Sequence, residues 1–165
     1  MINRKGFTLI EVVVVILVIA TLALLVVPSF KNSALTNKME KAKVGLVELT
    51  TAVKLYNEVN PNSTLTGAFD REMFEKLINS DQGYAYLQSS GRWGEGNSNL
   101  YALRDTDGVM NCRYTINPDT TKLSQVICQF NKVDESGTEC YKFYIEKANP
   151  AVIKKESNEA DCNDF

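Results

Sequence analysis

The chain contains no histidine, which removes the usual proton shuttle at neutral pH, the base of serine or cysteine triads and the commonest zinc ligand. None of its four cysteines stands in a CxxC pair, so neither a zinc knuckle nor a thiol-exchange motif is present. Excess charge is also missing: 18 basic against 20 acidic residues leave a net charge of −2, which gives no footprint for general nucleic-acid binding. No nucleophile, base and oxyanion donor can be named together, and the chain therefore reads as a non-enzyme with neither cofactor nor metal. A length of 165 residues fits one ordinary domain with a long element beside it, not two independent domains.

What the sequence does have is one dense apolar run, FTLIEVVVVILVIATLALLVV from Phe7 to Val27. At 1.5 Å per helical residue it is long enough to span a hydrocarbon core. Arg4 and Lys5 precede it, so the positive-inside rule keeps the start of the chain in the cytoplasm and sends everything after Val27 outward. A secretory signal would show a shorter run ending in a small-x-small cleavage site. Here Pro28 follows instead, and a glycine, Gly6, closes the short polar segment before the run. The expected cut lies before the membrane helix.

Glu11 is the only charge inside the run, and a carboxylate there costs roughly 2.5 to 3.5 kcal/mol on insertion scales. The plain reading is a glutamate that snorkels to the interface or stays protonated. The sharper one needs a cation at the same depth. Cleavage after Gly6 supplies it, because Phe7 becomes the first residue and its α-amine is largely protonated at neutral pH. The amine of one copy then neutralises Glu11 of the next, which relieves two desolvated charges together and fixes the axial offset between helices.

Arg4-Lys5-Gly6-Phe7-Thr8-Leu9-Ile10-Glu11 resembles the prepilin signature of type IV pilins and type II secretion pseudopilins. A basic leader ends in glycine before phenylalanine, glutamate follows as the fifth mature residue, and Pro28 falls at the twenty-second. The resemblance covers about the first 28 residues. It implies a short, type IVa-like leader, residues 1–6, cut after Gly6 by a prepilin peptidase that also methylates the amine of Phe7. It implies further that the chain waits in inner-membrane lipid with its head in the periplasm. Pilus or secretion machinery in that membrane then extracts it into a helical polymer of itself on a bacterial surface. The fold implied is α+β, a long helix whose outer half packs on an antiparallel sheet.

The residues beyond the signature agree with that outline. Residues 7–28 form the membrane and filament-core helix, with a kink or local opening expected at Pro28. In related filaments this proline sits in a stretch that can lose helicity on packing, which implies melting of the residues around Ala20 to Pro28 on assembly. Leu35, Met39, Ala42, Leu46, Leu49, Val53 and Tyr56 then recur at alternating spacings of four and three, which continues an amphipathic helix over 29–59. A heptad-like stripe this short is expected to pack on a sheet rather than in a coiled coil.

Residues 60–165 form the head. Asn60-Pro61-Asn62 stops the long helix, and Asp70 caps a short amphipathic one carrying Met73, Phe74, Leu77 and Ile78. The Gly, Ser and Asn-rich stretch from Asp81 to Asn99 reads as a loop pinned by Trp93. From Leu100 the pattern predicts about four antiparallel strands, with turns at Asp107-Gly108 and Asn117-Pro118-Asp119 and a last strand CYKFYIE. The sequence Asp105-Thr106-Asp107-Gly108 raises calcium, but no glutamate follows at the EF-hand spacing, and Asp-Gly between strands is first a hairpin turn.

All four cysteines lie in the last third, behind a segment that carries them out of the cytoplasm, and are expected to form disulfides. If Tyr114 faces Val126 across the Asn117 to Lys122 turn, Cys112 falls opposite Cys128 on the core side. The remaining Cys140 and Cys162 would then tie the polar tail ANPAVIKKESNEADCNDF back to the last strand, resembling the disulfide-bounded C-terminal loop of many pilins. Four cysteines permit three connectivities.

Three roles stay open at this point. One is a structural subunit of a type IV pilus. The second is a pseudopilin, or a minor or competence pilin for which DNA binding is undecided; Arg92-Trp93-Gly94 matches only a fragment of the aspartate-proline-tryptophan-glycine segment usual in the major pseudopilin. The third is a single-pass anchored binding protein that never polymerises.

Overall fold

The structure, a computed structural model, describes residues 8–79, 85–87, 90–132 and 136–157, without the side chains of 23–29, 31, 90 and 157. Its first element is a single helix, α1 (Leu9–Val59), of 51 residues, or about 75 Å. The helix passes position 28 as one element, although the side chain of Pro28 lies outside the described ones. Asn60 ends it by donating its backbone N–H to Tyr56 O. Proline at 61 is what prevents a further turn.

The head is α+β. A short strand β1 (Gly67–Ala68) leads into α2 (Arg71–Ile78), whose N-cap Asp70 accepts from the Met73 N–H at 2.9 Å. Trp93 opens β2 (Trp93–Glu95), followed by β3 (Tyr101–Asp105) and β4 (Gly108–Val109). These three form one small antiparallel sheet. Then β5 (Cys112–Ile116), β6 (Lys122–Asn131), β7 (Thr138–Glu146) and β8 (Asn149–Ser157) join β1 in a five-stranded antiparallel sheet of order β1-β5-β6-β7-β8.

Three features differ from the sequence reading. The polar tail expected after β7 supplies an additional strand, β8, which pairs with β7 from Tyr141 opposite Ser157 to Glu146 opposite Asn149. The hairpin expected to run from Asp107-Gly108 through Cys112–Ile116 is divided: β4 returns to β3, and the chain changes sheets at Met110 and Asn111. The stretch read as a loop around Trp93 is partly strand.

Burial explains why the outer half of α1 stays against the sheet. Ala42, Leu46, Leu49 and Val53 are buried among Tyr114, Val126, Phe143 and Leu103, with Leu35, Met39 and Tyr56 packed at the margin. Gly45 permits the close approach, since a Cβ there would stand 2.6 Å from Leu103 Cδ1 and 2.7 Å from Tyr114 Oη. Thr50 Oγ1 and the buried Ser124 hydroxyl meet at 2.6 Å, so each has a partner. On the other side of the core, Phe69 is the centre of edge-to-face contacts with Trp93, Phe74 and Tyr101, while Trp93 meets Tyr114 edge to face at 5.2 Å. Such pairs add about 0.5–1.5 kcal/mol each beyond area burial.

Cys112 and Cys128 face each other across β5 and β6 and are joined in a disulfide, with Cα atoms 4.1 Å apart. The neighbouring bond from Gln129 N to Asn111 O places the pair at a non-hydrogen-bonded position, where opposing strands lie closest. Tyr114 faces Val126 in the same register. Cys140, in β7, is also disulfide-bonded; Cys162 lies outside the described residues.

Candidate functional site

The described part of the apolar run gives α1 an unusual inner half. Every residue from Thr8 to Leu22 is exposed, and Leu9, Ile10, Val12 to Ile19 and Leu22 present their side chains all round the helix. A surface helix of a soluble domain buries one stripe; one that is apolar on all sides needs apolar surroundings on all sides. The hydroxyl of Thr21 does not oppose this, because it donates to Val18 O at 2.8 Å within the helix. Among the described residues no helix is long and apolar enough to cross a membrane. The described side chains of the run stop at Leu22, short of the full stretch to Val27.

Glu11 stands in the first turn of this half. One of its carboxylate oxygens, Oε2, accepts from the Thr8 backbone N–H and from Thr8 Oγ1, each at 2.8 Å. The Glu11 N–H returns a bond to Thr8 Oγ1 at 3.3 Å, completing a reciprocal capping box. The carboxylate also lies at the positive end of the helix dipole, which favours an anion. Glu11 is therefore directed to the very end of the helix, onto Thr8. Gly6 and Phe7 themselves lie outside the described residues.

Thr8 is the participant the sequence reading missed. The signal was there, because Thr8-Leu9-Ile10-Glu11 is the threonine-x-x-glutamate pattern of a capping box ahead of an apolar run.

Further along, where α1 enters the head, charges fix it to the β3–β4 turn. Lys41 Nζ lies 2.6 Å from Asp105 Oδ1, and Lys38 Nζ lies 3.1 Å from Asp107 Oδ2 and 3.7 Å from Asp105. The Lys41 hydrogen bond is the main reason the Asp105 carboxyl is held below its ordinary range. Gly108 makes the turn possible with φ at 121°. Both acids of Asp105-Thr106-Asp107-Gly108 thus have lysine partners. Among the described residues no cluster of metal-ligating side chains occurs.

Beside this turn a groove of about 630 Å³ opens between α1 at Leu35 and Lys38, the turn itself, and the end of β6 at Phe130 to Lys132. Its walls include Lys38, Asp105 and Asp107, the ion-paired groups already described. The site residues brought together are Thr8 and Glu11 at one end of α1 and Cys112 and Cys128 in the head, with no contact between the two groups.

Comparison with known protein families gives a match over the first part of the chain. Residues 1–27 fit the family described as the prokaryotic N-terminal methylation motif, the type IV prepilin signature. It is the signature of a type IV pilin-like or pseudopilin precursor, processed by prepilin peptidase. The match covers the start of the chain and the apolar run and ends before the head. No curated protein and no solved structure matches the chain.

Proposed function

We propose, from the prepilin signature at residues 1–27, that the chain is the precursor of a structural subunit of a type IV pilus. Prepilin peptidase removes residues 1–6 after Gly6 and methylates the new amine of Phe7. The mature chain rests in the inner membrane through residues 7–28, with its disulfide-tied head in the periplasm, until the assembly machinery lifts it into a helical polymer. There the apolar half leaves lipid for a bundle of like helices, and the amine of Phe7 on one copy meets Glu11 of another. Opening or bending at Pro28 accompanies that packing. Cys140 is paired with Cys162, which fastens the end of the chain to β7.

The observation that carries this reading is the all-round exposure of Leu9 to Leu22 together with a capped glutamate at the same helix end. A helix of that kind is at home in lipid or in a bundle of its own kind, and an acid at its tip suits a polymer that brings a cation there. Mass spectrometry of the chain from its host tests the processing: N-methylated Phe7 is expected as the first residue. An intact Met1 would instead identify a single-pass anchored protein that does not polymerise. Imaging of sheared surface filaments, with identification of their main chain, tests the assembly.

A further inference from the structure

The groove beside the β3–β4 turn holds a cation that its neighbours leave uncompensated. Both carboxylates of its walls are already taken up, Asp105 by Lys41 at 2.6 Å and Asp107 by Lys38 at 3.1 Å. Lys132, just past the end of β6, lines the same groove and is half-buried. Its backbone N–H donates to Gly137 O at 2.8 Å, which ties the residue down. Its ammonium, however, has no ion-pair partner among the described residues. A cation without a counter-charge inside a concavity favours an anion there.

The other walls narrow the choice of anion. Asn111, Gln129 and Asn131 supply amides. Asn111 Nδ2 donates to Gln129 Oε1 at 2.6 Å, and Gln129 Nε2 donates to Thr138 Oγ1 at 3.1 Å, so these two amides fix each other's orientation. That leaves Asn111 Oδ1 and the Asn131 amide open among the described residues. An amide presents a donor and an acceptor side by side, which suits a hydroxyl, since a hydroxyl is both. Ala34, Leu35 and Val109 add an apolar lining. A lone inorganic anion would leave most of about 630 Å³ unfilled. A fatty acid would set hydrocarbon against the open amides. One or two sugar rings bearing a carboxylate meet all three linings, and the volume lies within the ordinary range of small-molecule sites.

We propose that this groove binds an acidic sugar, a hexuronate unit whose carboxylate rests on Lys132. Its hydroxyls engage Asn111 and Asn131, and its C–H face lies on Leu35 and Val109. The site does not depend on the filament reading, because all its residues belong to one head and the adjoining turns of its own α1. Free sugar and polysaccharide share this chemistry, and the test separates them.

The test titrates the full chain with sodium glucuronate, a galacturonate trimer, glucose and sodium acetate, and follows chemical shifts by NMR. A phosphocholine detergent is used, because sugar-headed detergents would compete. Wild type is expected to saturate with a uronate and to bind glucose and acetate at least tenfold more weakly. Saturation by glucuronate assigns a free sugar or chain end; saturation by the trimer alone assigns the interior of a polysaccharide. Lys132→Gln removes the charge, and Ala34→Trp fills the groove from an exposed helix position while keeping every charge. Each is expected to weaken uronate binding at least tenfold with an unchanged melting temperature; if one melts lower, the other decides. Lys147→Gln loses the same charge at an exposed residue that donates to Asp119 O, outside the groove. It is expected to bind as wild type does. No saturation by either uronate overturns the proposal. So does undiminished binding in a folded Lys132→Gln or Ala34→Trp chain, an equal loss in Lys147→Gln, or acetate binding as tight as that of the uronate.

Discussion

Thr8 and Glu11 satisfy each other at the start of α1: the glutamate accepts twice from Thr8 at 2.8 Å and gives its own N–H back at 3.3 Å. The acid proposed to guide assembly between chains is thus also a cap within its own chain. The two duties separate by substitution, because glutamine keeps an acceptor oxygen without the charge and leucine keeps neither. Both Glu11→Gln and Glu11→Leu are expected to leave membrane insertion intact or easier and to lower filament yield. Only Glu11→Leu also loses the side-chain half of the capping box, while the backbone N–H at position 11 still donates to Thr8 Oγ1. Sheared-filament yield beside the processed membrane pool measures this. Full assembly by the glutamine variant and none by the leucine variant would assign the role to capping alone.

Gly6→Arg is expected to block maturation. The peptidase must fit backbone closely around the bond after residue 6, and glycine alone has no side chain to obstruct it. Precursor should accumulate in the membrane, seen as an unshortened chain on intact-mass analysis. A normally shortened chain with normal filament yield would remove the processing proposal.

Replacing Cys112 and Cys128 by serine opens a loop with a sequence separation of 16, and a closure of that size is worth about 3 kcal/mol. The double variant should unfold at correspondingly lower denaturant, as should the wild type under reduction. Peptide mapping of the unreduced chain checks the second bridge at the same time. A Cys140 peptide joined to anything but Cys162 would overturn the proposed pairing.

Tyr114 gives the head a sensitivity to alkali. Its hydroxyl is buried, donates to Ala42 O at 3.3 Å, and is pushed well above the phenol range first by burial and then by the charge of Glu48. Between its unfolded pKa near 10 and the higher folded value, the unfolded chain has lost a proton that the folded chain still holds. Stability is therefore fully present below about pH 10 and falls as pH rises beyond it, by about 1.4 kcal/mol per pH unit for this one group. Tyr114→Phe should be less stable at pH 8, having lost the bond to Ala42, yet should lose stability less steeply above pH 10. Urea unfolding at pH 8, 10 and 11 in detergent measures both slopes; parallel slopes would exclude Tyr114 as the source.

The sequence was most legible where one residue carries a strong local rule. Asn60 with Pro61 marked the end of α1, Asp70 marked the start of α2, and the turn at Asn117 to Asp119 set the register that puts Cys112 opposite Cys128. It was least legible where packing decides. In β8, Ile153 is the partly buried apolar residue among otherwise exposed side chains, so its pattern reads as a polar tail and only pairing with β7 makes it a strand. Met110, Cys112, Tyr114 and Ile116 are all buried and alternate without a break, which concealed the change of sheets at Met110 and Asn111. Strands as short as Gly108–Val109 have no period to detect. At the site, the apolar run drew attention to the charge of Glu11 and away from Thr8, whose cap was written in the same four residues.

The unbroken course of α1 from Leu9 to Val59 decides how the molecule would bear tension. A pull applied at the apolar end is resisted along the helix axis by its ladder of backbone hydrogen bonds, which lacks a donor at Pro28. The head is attached at the side, through Leu46, Leu49, Val53 and the lysines that reach Asp105 and Asp107. Load passes beside the sheets rather than through them, so stretching a string of such subunits strains the stem first and reaches the strands only as sideways shear.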